Sequence, residues 1–271
     1  MDLRGLSFNT KSAYRLHVKH FSEHFGKPPE QLGEVEIRTF LHHGLVVRKL
    51  SSSYAVVCYC ALRFFFETTL GQPWNNRAIP LVKRRKKLPN VLSQDEILAL
   101  FNATNNLKHK AALMTAYGSG LRVSELANLK ISDIDSKNMQ VRINQGKGYV
   151  DRYSLLSVAN LKVLREYYLQ YRPKVWLFPD QDPTKAINPH TLSSVFKDAK
   201  RKVGIQKKVS IHSLRHSFAT HLLEAGAPIY YIQKLLGHKR ISTTCIYLHL
   251  TRLSLMNITS PLDNMPEPTD D

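Results

Sequence analysis

The chain has 271 residues, 43% of them hydrophobic, which is enough for one large domain or two modest ones and too apolar for a disordered chain. Lysine and arginine total 39 against 21 acidic residues, a formal net charge of +18 at pH 7. A surplus of that size attracts a polyanion (DNA, RNA or an acidic protein surface) and makes an inert, merely solvated basic surface the weaker reading.

The amino terminus, Met1-Asp2-Leu3-Arg4-Gly5, has no basic stretch followed by an apolar core, so no secretory signal is expected. The most apolar run, Ala55 to Phe66, is too short to span a bilayer and carries Arg63, so no membrane partner is expected either. Three cysteines, Cys58, Cys60 and Cys245, show no framework spacing. They read as reduced thiols of a cytosolic, cytoplasmic protein.

The first part of the chain is expected to be helical. Tyr14, Val18, Phe21 and Phe25 recur at helical spacing, and Gly26 before Pro28-Pro29 ends that helix. A second helix is expected over Glu34 to Val47. A third follows the Ser51-Ser52-Ser53 cluster, runs through Tyr54 to Leu70, and stops at Gly71. From Gln72 to Asn90 the composition shifts to prolines and charge without apolar periodicity, the signature of a linker. Its basic run, Lys83, Arg84, Arg85, Lys86 and Lys87, is well placed to lie on phosphates.

The second part opens with a capping box, Ser93-Gln94-Asp95-Glu96. A helical hairpin from Leu107 to Leu129 is broken at Gly118-Ser119-Gly120. Three short alternating segments, Ile131 to Ile134, Met139 to Ile143 and Val150 to Leu155, suit a small antiparallel sheet of hairpins. Helices resume afterwards, with prolines at the starts marked by Asn188-Pro189 and Ala227-Pro228, and Ser242-Thr243-Thr244 is expected to cap a short helix carrying Tyr247. The tail from Ser260 to Asp271, rich in proline and acid, is expected to be loose. The fold class is mainly α with a small antiparallel β-sheet. The expected domains are 1–80, a basic linker 81–90, a larger domain 91–259 and the tail 260–271.

Several polar clusters in the second part could carry chemistry. Arg122 follows a tight glycine turn at a helix start, and Glu125, three residues on, shares its face and could orient the guanidinium. Taken alone that pair is a surface ion pair more often than a working one. Lys147 lies between Gly146 and Gly148 at a hairpin tip, where glycines permit close approach of a phosphate. Taken alone, it is an exposed turn lysine. His212 and Arg215 sit one helical turn apart, with Leu214, Phe218 and Leu222 marking the buried face. Leu235-Leu236-Gly237-His238 places a histidine just past a glycine helix stop. Tyr247 sits in Thr243-Thr244-Cys245-Ile246-Tyr247-Leu248-His249. The pair His212 and His216 raises a zinc alternative, but a helical metalloprotease site needs glutamate where Ser213 stands. A structural zinc site through His221 or His238 lacks a nearby cysteine or carboxylate set, so no metal is expected.

Taken together, Gly-Leu-Arg122-Val-Ser-Glu125-Leu, Gly-Lys147-Gly, His212-x-x-Arg215-His-Ser-Phe-Ala-Thr-His, Leu-Leu-Gly-His238 and Thr-Thr-x-Ile-Tyr247-x-His resemble the tyrosine recombinase (phage integrase) family, five boxes in order across the second part. The helical first part resembles that family's SAM-like core-binding domain. No additional arm-binding module is expected ahead of it. Ser217 and Leu248 stand where threonine is frequent in that family. The resemblance implies a site-specific recombinase acting on double-stranded DNA as a homo-tetramer on two sites. Arg122 and Arg215 would clasp the phosphate and Tyr247 attack it, leaving a 3′-phosphotyrosine and a free 5′-hydroxyl. Lys147 would protonate the departing oxygen, His212 assist proton movement at the tyrosine, and His238 hydrogen-bond the phosphate or steady the site. It also implies exchange of a carboxy-terminal segment between copies, here Leu250 to Ile258. The reaction needs no cofactor, because a phosphotyrosine preserves the bond energy. His216, His221 and His249 are expected to be packing residues. Two other readings remain: a type IB topoisomerase sharing the chemistry, and a non-catalytic DNA-binding protein on the same fold.

Overall fold

A computed structural model describes residues 1, 4–81, 88–144 and 151–250, and the chain divides into two compact units, Met1–Lys87 and Leu88–Asp271. Lys83, Arg84, Arg85, Lys86, Lys87 and Lys147, the tail, and all but the first residue of the segment Leu250 to Ile258 lie outside the described residues.

In the first unit, α1 (Phe8–Phe25) starts at Ser7, whose hydroxyl accepts the Thr10 N–H, and ends at Gly26 in the left-handed conformation. α2 (Glu34–His42) continues into a π-helical turn over His43–Val47. α3 (Ser52–Phe64) is capped by Ser51 and likewise runs on through a π turn to Thr69. Phe21, Ile37, Leu41, Cys58, Leu62 and Phe66 form the core. The expected linker begins later than its composition suggested. Ile79 belongs to this core and Trp74 packs on it, with the indole N–H donating to the Tyr59 hydroxyl at 2.9 Å. Asn75 accepts the N–H groups of Arg77 and Ala78, so the stretch is a hydrogen-bonded loop folded against the helices.

In the second unit, α4 (Gln94–Asn102) begins with the expected box, Ser93 capping the Glu96 N–H and Glu96 returning to the Ser93 N–H. α5 (Leu107–Gly118) and α6 (Val123–Ala127) flank the glycine turn. β1 (Ile134–Asp135), β2 (Gln140–Ile143) and β3 (Arg152–Leu155) form an antiparallel sheet in that order, with Val141 opposite Ser154 and Ile143 opposite Arg152. The first strand is shorter than expected. Ile131–Asp133 is a 3-10 turn, because the Asp133 carboxylate turns back to accept the Lys130 N–H at 2.8 Å. α7 (Val158–Tyr171), α8 (Pro189–Val203), α9 (His212–Glu224), α10 (Ile229–Leu236) and α11 (Ile241–Thr244) complete the unit. Pro189 opens α8 as expected, whereas Pro228 sits one residue earlier, as the cap of α10.

One large core joins α4 to α8 and the sheet, and a smaller one beneath α9 and α10 contains Phe218, Leu223, Ile232, Leu236 and Tyr247. Gly120 sits between them. Its φ is +59°, and a β-carbon there would run into the Phe218 ring. Gly120→Ala is therefore expected to lose on the order of 2–4 kcal/mol, from the left-handed backbone plus overpacking, read as a lower denaturation midpoint in urea. An unchanged midpoint would show that the ring can step aside.

Candidate active site

The glycine turn is stitched to β3 from both directions. The Ser119 hydroxyl donates to the Leu155 carbonyl and the Ser154 hydroxyl donates to the Ser119 carbonyl, each at 2.7 Å. That seam presents Arg122 at the cap of α6. Glu125 accepts the Arg122 N–H at 2.8 Å and its Nη1 at 2.6 Å, so one carboxylate fixes both backbone and guanidinium. On its other side Arg122 opens into a groove of about 630 Å³ lined by Lys130, Arg142, Asn144 and Trp176.

Glu125 is more than a partner for one arginine. Arg152, which the sequence reading passed over, donates Nη1 and Nη2 to its two oxygens at 2.9 and 2.8 Å, and Arg215 Nη1 lies 3.6 Å away. Burial alone would raise this carboxyl, but the bonds and charge of Arg152, with the Arg122 N–H and guanidinium, outweigh it and hold the carboxyl at about 2.

Arg215 rises from the first turn of α9 into the interior. It donates Nη1 to the Gly120 carbonyl at 2.7 Å and Nη2 to the Leu236 carbonyl at 2.5 Å, and Nη2 lies 3.2 Å from His238 Nε2. Burial first and then the charge of Arg122 lower its pKa to about 10, which still leaves it protonated at neutral pH. The expected glycine stop is present: Gly237 ends α10 in the left-handed conformation and delivers His238, whose Nδ1 meets the Thr244 hydroxyl at 2.9 Å. Thr244 therefore serves His238. Ser242 and Thr243 lie inside α11, behind Arg240 as its cap, so the expected hydroxyl cap does not form. Ser217 is used similarly, its buried hydroxyl accepting the Leu92 N–H at 2.9 Å.

Tyr247 lies on a 3-10 turn, Cys245–His249, and is only 1% exposed. Its hydroxyl is 3.0 Å from His216 Nδ1, a residue expected only to pack. His212, expected near the tyrosine, is exposed at the start of α9 and makes no hydrogen bond to it among the described residues. Burial raises the Tyr247 pKa, against the opposing pull of Arg215 and Arg122. Burial, then the charge of Arg215, lowers both His216 and His238 to about 4, so both imidazoles are neutral at pH 7. In the tautomer that leaves Nδ1 unprotonated, neutral His216 accepts the hydrogen of the phenol, although the burial that keeps it neutral also makes it a weak base. His221 instead pairs with the Tyr117 hydroxyl at 2.9 Å, outside this cluster. Among the described residues no three His, Cys, Asp or Glu side chains converge as a metal-ligand set.

Unfolded, the two histidines bind protons near 6.5 and Glu125 near 4.5, but folded they resist protonation to about 4 and about 2. The unfolded chain takes up more protons throughout that range, so stability falls as pH drops from about 6.5 toward 2. Urea unfolding at pH 7 and pH 4.5 should show the loss, with His238→Asn flattening its upper part. Equal stability at the two pH values would contradict these environments.

Known proteins match this chain along nearly its whole length. Residues 90–253 match the phage integrase family and residues 1–76 the phage integrase N-terminal SAM-like domain. An integrase/recombinase of Sinorhizobium fredii is 42% identical, covering 99% of this chain and 87% of its own length. A Thermosipho africanus tyrosine recombinase is 33% identical over 92% of this chain and 91% of its own. The fold also superimposes on a lambda integrase tetramer bound to a Holliday junction, with a TM-score of 0.72 at 22% identity, covering 89% of this chain and 74% of that one.

Proposed function

The chain belongs to the phage integrase family and is a tyrosine-type DNA recombinase, and on that premise we propose how its residues divide the work of cutting and rejoining a strand. Arg122 and Arg215 bind the non-bridging oxygens of the scissile phosphate, where planar, permanently charged guanidinium matches the growing negative charge. The Tyr247 oxygen attacks phosphorus and its proton passes to a neighbouring imidazole, with His216 already in contact and His212 at the same helix start. The bond from phosphorus to the 5′-oxygen breaks, and that oxygen takes a proton from Lys147. The products are a 3′-phosphotyrosine and a 5′-hydroxyl, and attack by a 5′-hydroxyl reverses the step without nucleotide hydrolysis. His238, 3.2 Å from Arg215, hydrogen-bonds the phosphate or holds that arginine.

The observation that carries this reading is the convergence of Arg122 and Arg215 around one buried carboxylate, with Tyr247 within their electrostatic reach. Double-stranded DNA is the substrate, and four copies are expected on two sites, the arrangement that the lambda integrase structure holds on its junction. Basic residues 83–87 supply sequence-independent phosphate contacts. The three cysteines are unpaired thiols, which suits the cytosol, and no helix among the described residues is long and apolar enough to cross a membrane.

The test is to incubate the protein with a DNA library in EDTA and without ATP, denature it, and sequence the DNA that remains covalently attached. Adducts at one recurring sequence, and recombinant products from two plasmids carrying it, are expected. Supercoil release without recombinants would point to a topoisomerase instead, and restoration of cleavage only by added metal would overturn the arginine-based mechanism.

A further inference from the structure

We infer that Arg152 is a positioning residue for strand cleavage, acting through Glu125 to hold Arg122 and Arg215 in the geometry that receives the phosphate. The inference rests on the functional reading above and adds a residue outside its five motif boxes.

Arg152 occupies an inward position of β3 whose outward neighbours are apolar: Tyr153 is 54% and Leu155 43% exposed, while the Arg152 side chain is 9% exposed. A strand that turns its apolar side chains to solvent and an arginine to the interior has reversed the usual alternation, and burying that charge is costly unless every donor is answered. Here each of the three nitrogens finds an acceptor. Nη1 and Nη2 span the two Glu125 oxygens, and Nε donates to the Leu235 carbonyl at 2.9 Å. Room for this is made by Gly237, where a β-carbon would stand 2.8 Å from Arg152 Cδ and 3.1 Å from Nε. The glycine before His238 is thus required twice, by its φ of +62° and by the arginine lying across it.

The consequence is a division of labour on one carboxylate. With Arg152 occupying both oxygens, the Arg122 guanidinium reaches Glu125 through Nη1 alone. Among the described residues, its Nε and Nη2 make no hydrogen bond and remain available to a phosphate. Arg215 is kept at 3.6 Å from the carboxylate, on the carbonyls of Gly120 and Leu236. Remove Arg152, and the buried carboxylate is left to recruit Arg122 and Arg215 as its remaining counter-charges, turning their forks from the phosphate. Because Arg152 also ties β3 to the end of α10, one side chain links the arginine turn to the histidine box.

The experiment is a double-mutant cycle on single-turnover adduct formation, using a nicked duplex that carries a site recovered from the protein's own adducts. Arg152→Ala should bind this duplex within about twofold of the parent and cleave it about 10- to 100-fold more slowly, the size of strongly coupled neighbours. In an Arg122→Ala background the same change should cost clearly less, about three- to tenfold, since one of its two targets is gone and only Arg215 remains. Arg152→Lys, which keeps the charge and the buried stem but cannot span both oxygens, runs alongside in case the alanine variant fails to fold. It should show the same dependence on Arg122 at smaller size. Equal losses in both backgrounds, or unimpaired cleavage by both variants, would overturn the inference. Tyr247→Phe is the control that separates the two levels: if it still forms adduct, the reading of the site itself has failed.

Discussion

Tyr247→Phe is expected to bind its DNA as the parent does and to form no covalent adduct at all. The substitution removes one oxygen from a side chain that contributes its ring to the core with Phe218, Leu223, Ile232 and Leu236, and the ring remains. What is lost locally is one hydrogen bond to His216, and a half-buried imidazole nitrogen left unsatisfied costs about 1–3 kcal/mol, too little to dissolve the unit. What is lost chemically is the only atom assigned to attack phosphorus. Denaturing electrophoresis of labelled duplex after mixing reads the adduct, and a mobility shift reads the binding. A persistent adduct in Tyr247→Phe would mean that another nucleophile makes the bond, and adduct mapping by proteolysis would locate it.

The second large effect concerns the leaving group. Lys147→Ala is expected to slow cleavage roughly 100- to 10,000-fold, the usual contribution of a positioned general acid. Replacing the bridging 5′-oxygen with sulphur changes what the active site must supply, because a thiolate departs without a proton. On that substrate Lys147→Ala should recover most of its rate. Tyr247→Phe should remain inactive and Arg122→Ala poor, since neither defect involves the departing atom. If sulphur instead rescued His212→Ala and left Lys147→Ala slow, the histidine would be the acid and the lysine a phosphate contact.

How far the sequence could be read depended on the distance between partners along the chain. Ser51, Ser93 and Asn188 cap the helices that follow them because a side chain there needs to reach only two or three residues onward. The Arg122–Glu125 pair was legible for the same reason, being three residues apart on one short helix. The parts missed were those the fold alone assembles. Arg152 meets Glu125 from 27 residues away, and His216 meets Tyr247 across 31. Thr244 looked like a cap because hydroxyls commonly are, but its hydroxyl goes to His238. One signal for Arg152 was present: in the run Val150 to Leu155, Arg152 and Ser154 share the face opposite Tyr153 and Leu155. A buried sheet face made of polar residues marks a strand given over to a site.

The burial of Tyr247 bears on what the protein ignores. Cells are full of small phosphate esters, and a freely displayed tyrosine between two arginines would meet them constantly. At 1% exposure and packed with Phe218, Leu223, Ile232 and Leu236, Tyr247 presents little surface to an isolated phosphate. A ligand large enough to engage many basic side chains at once gains the most free energy to offset whatever movement fuller access to this oxygen requires. On that basis a polymer is expected to be favoured over its fragments at the stage of admission, before any chemistry begins.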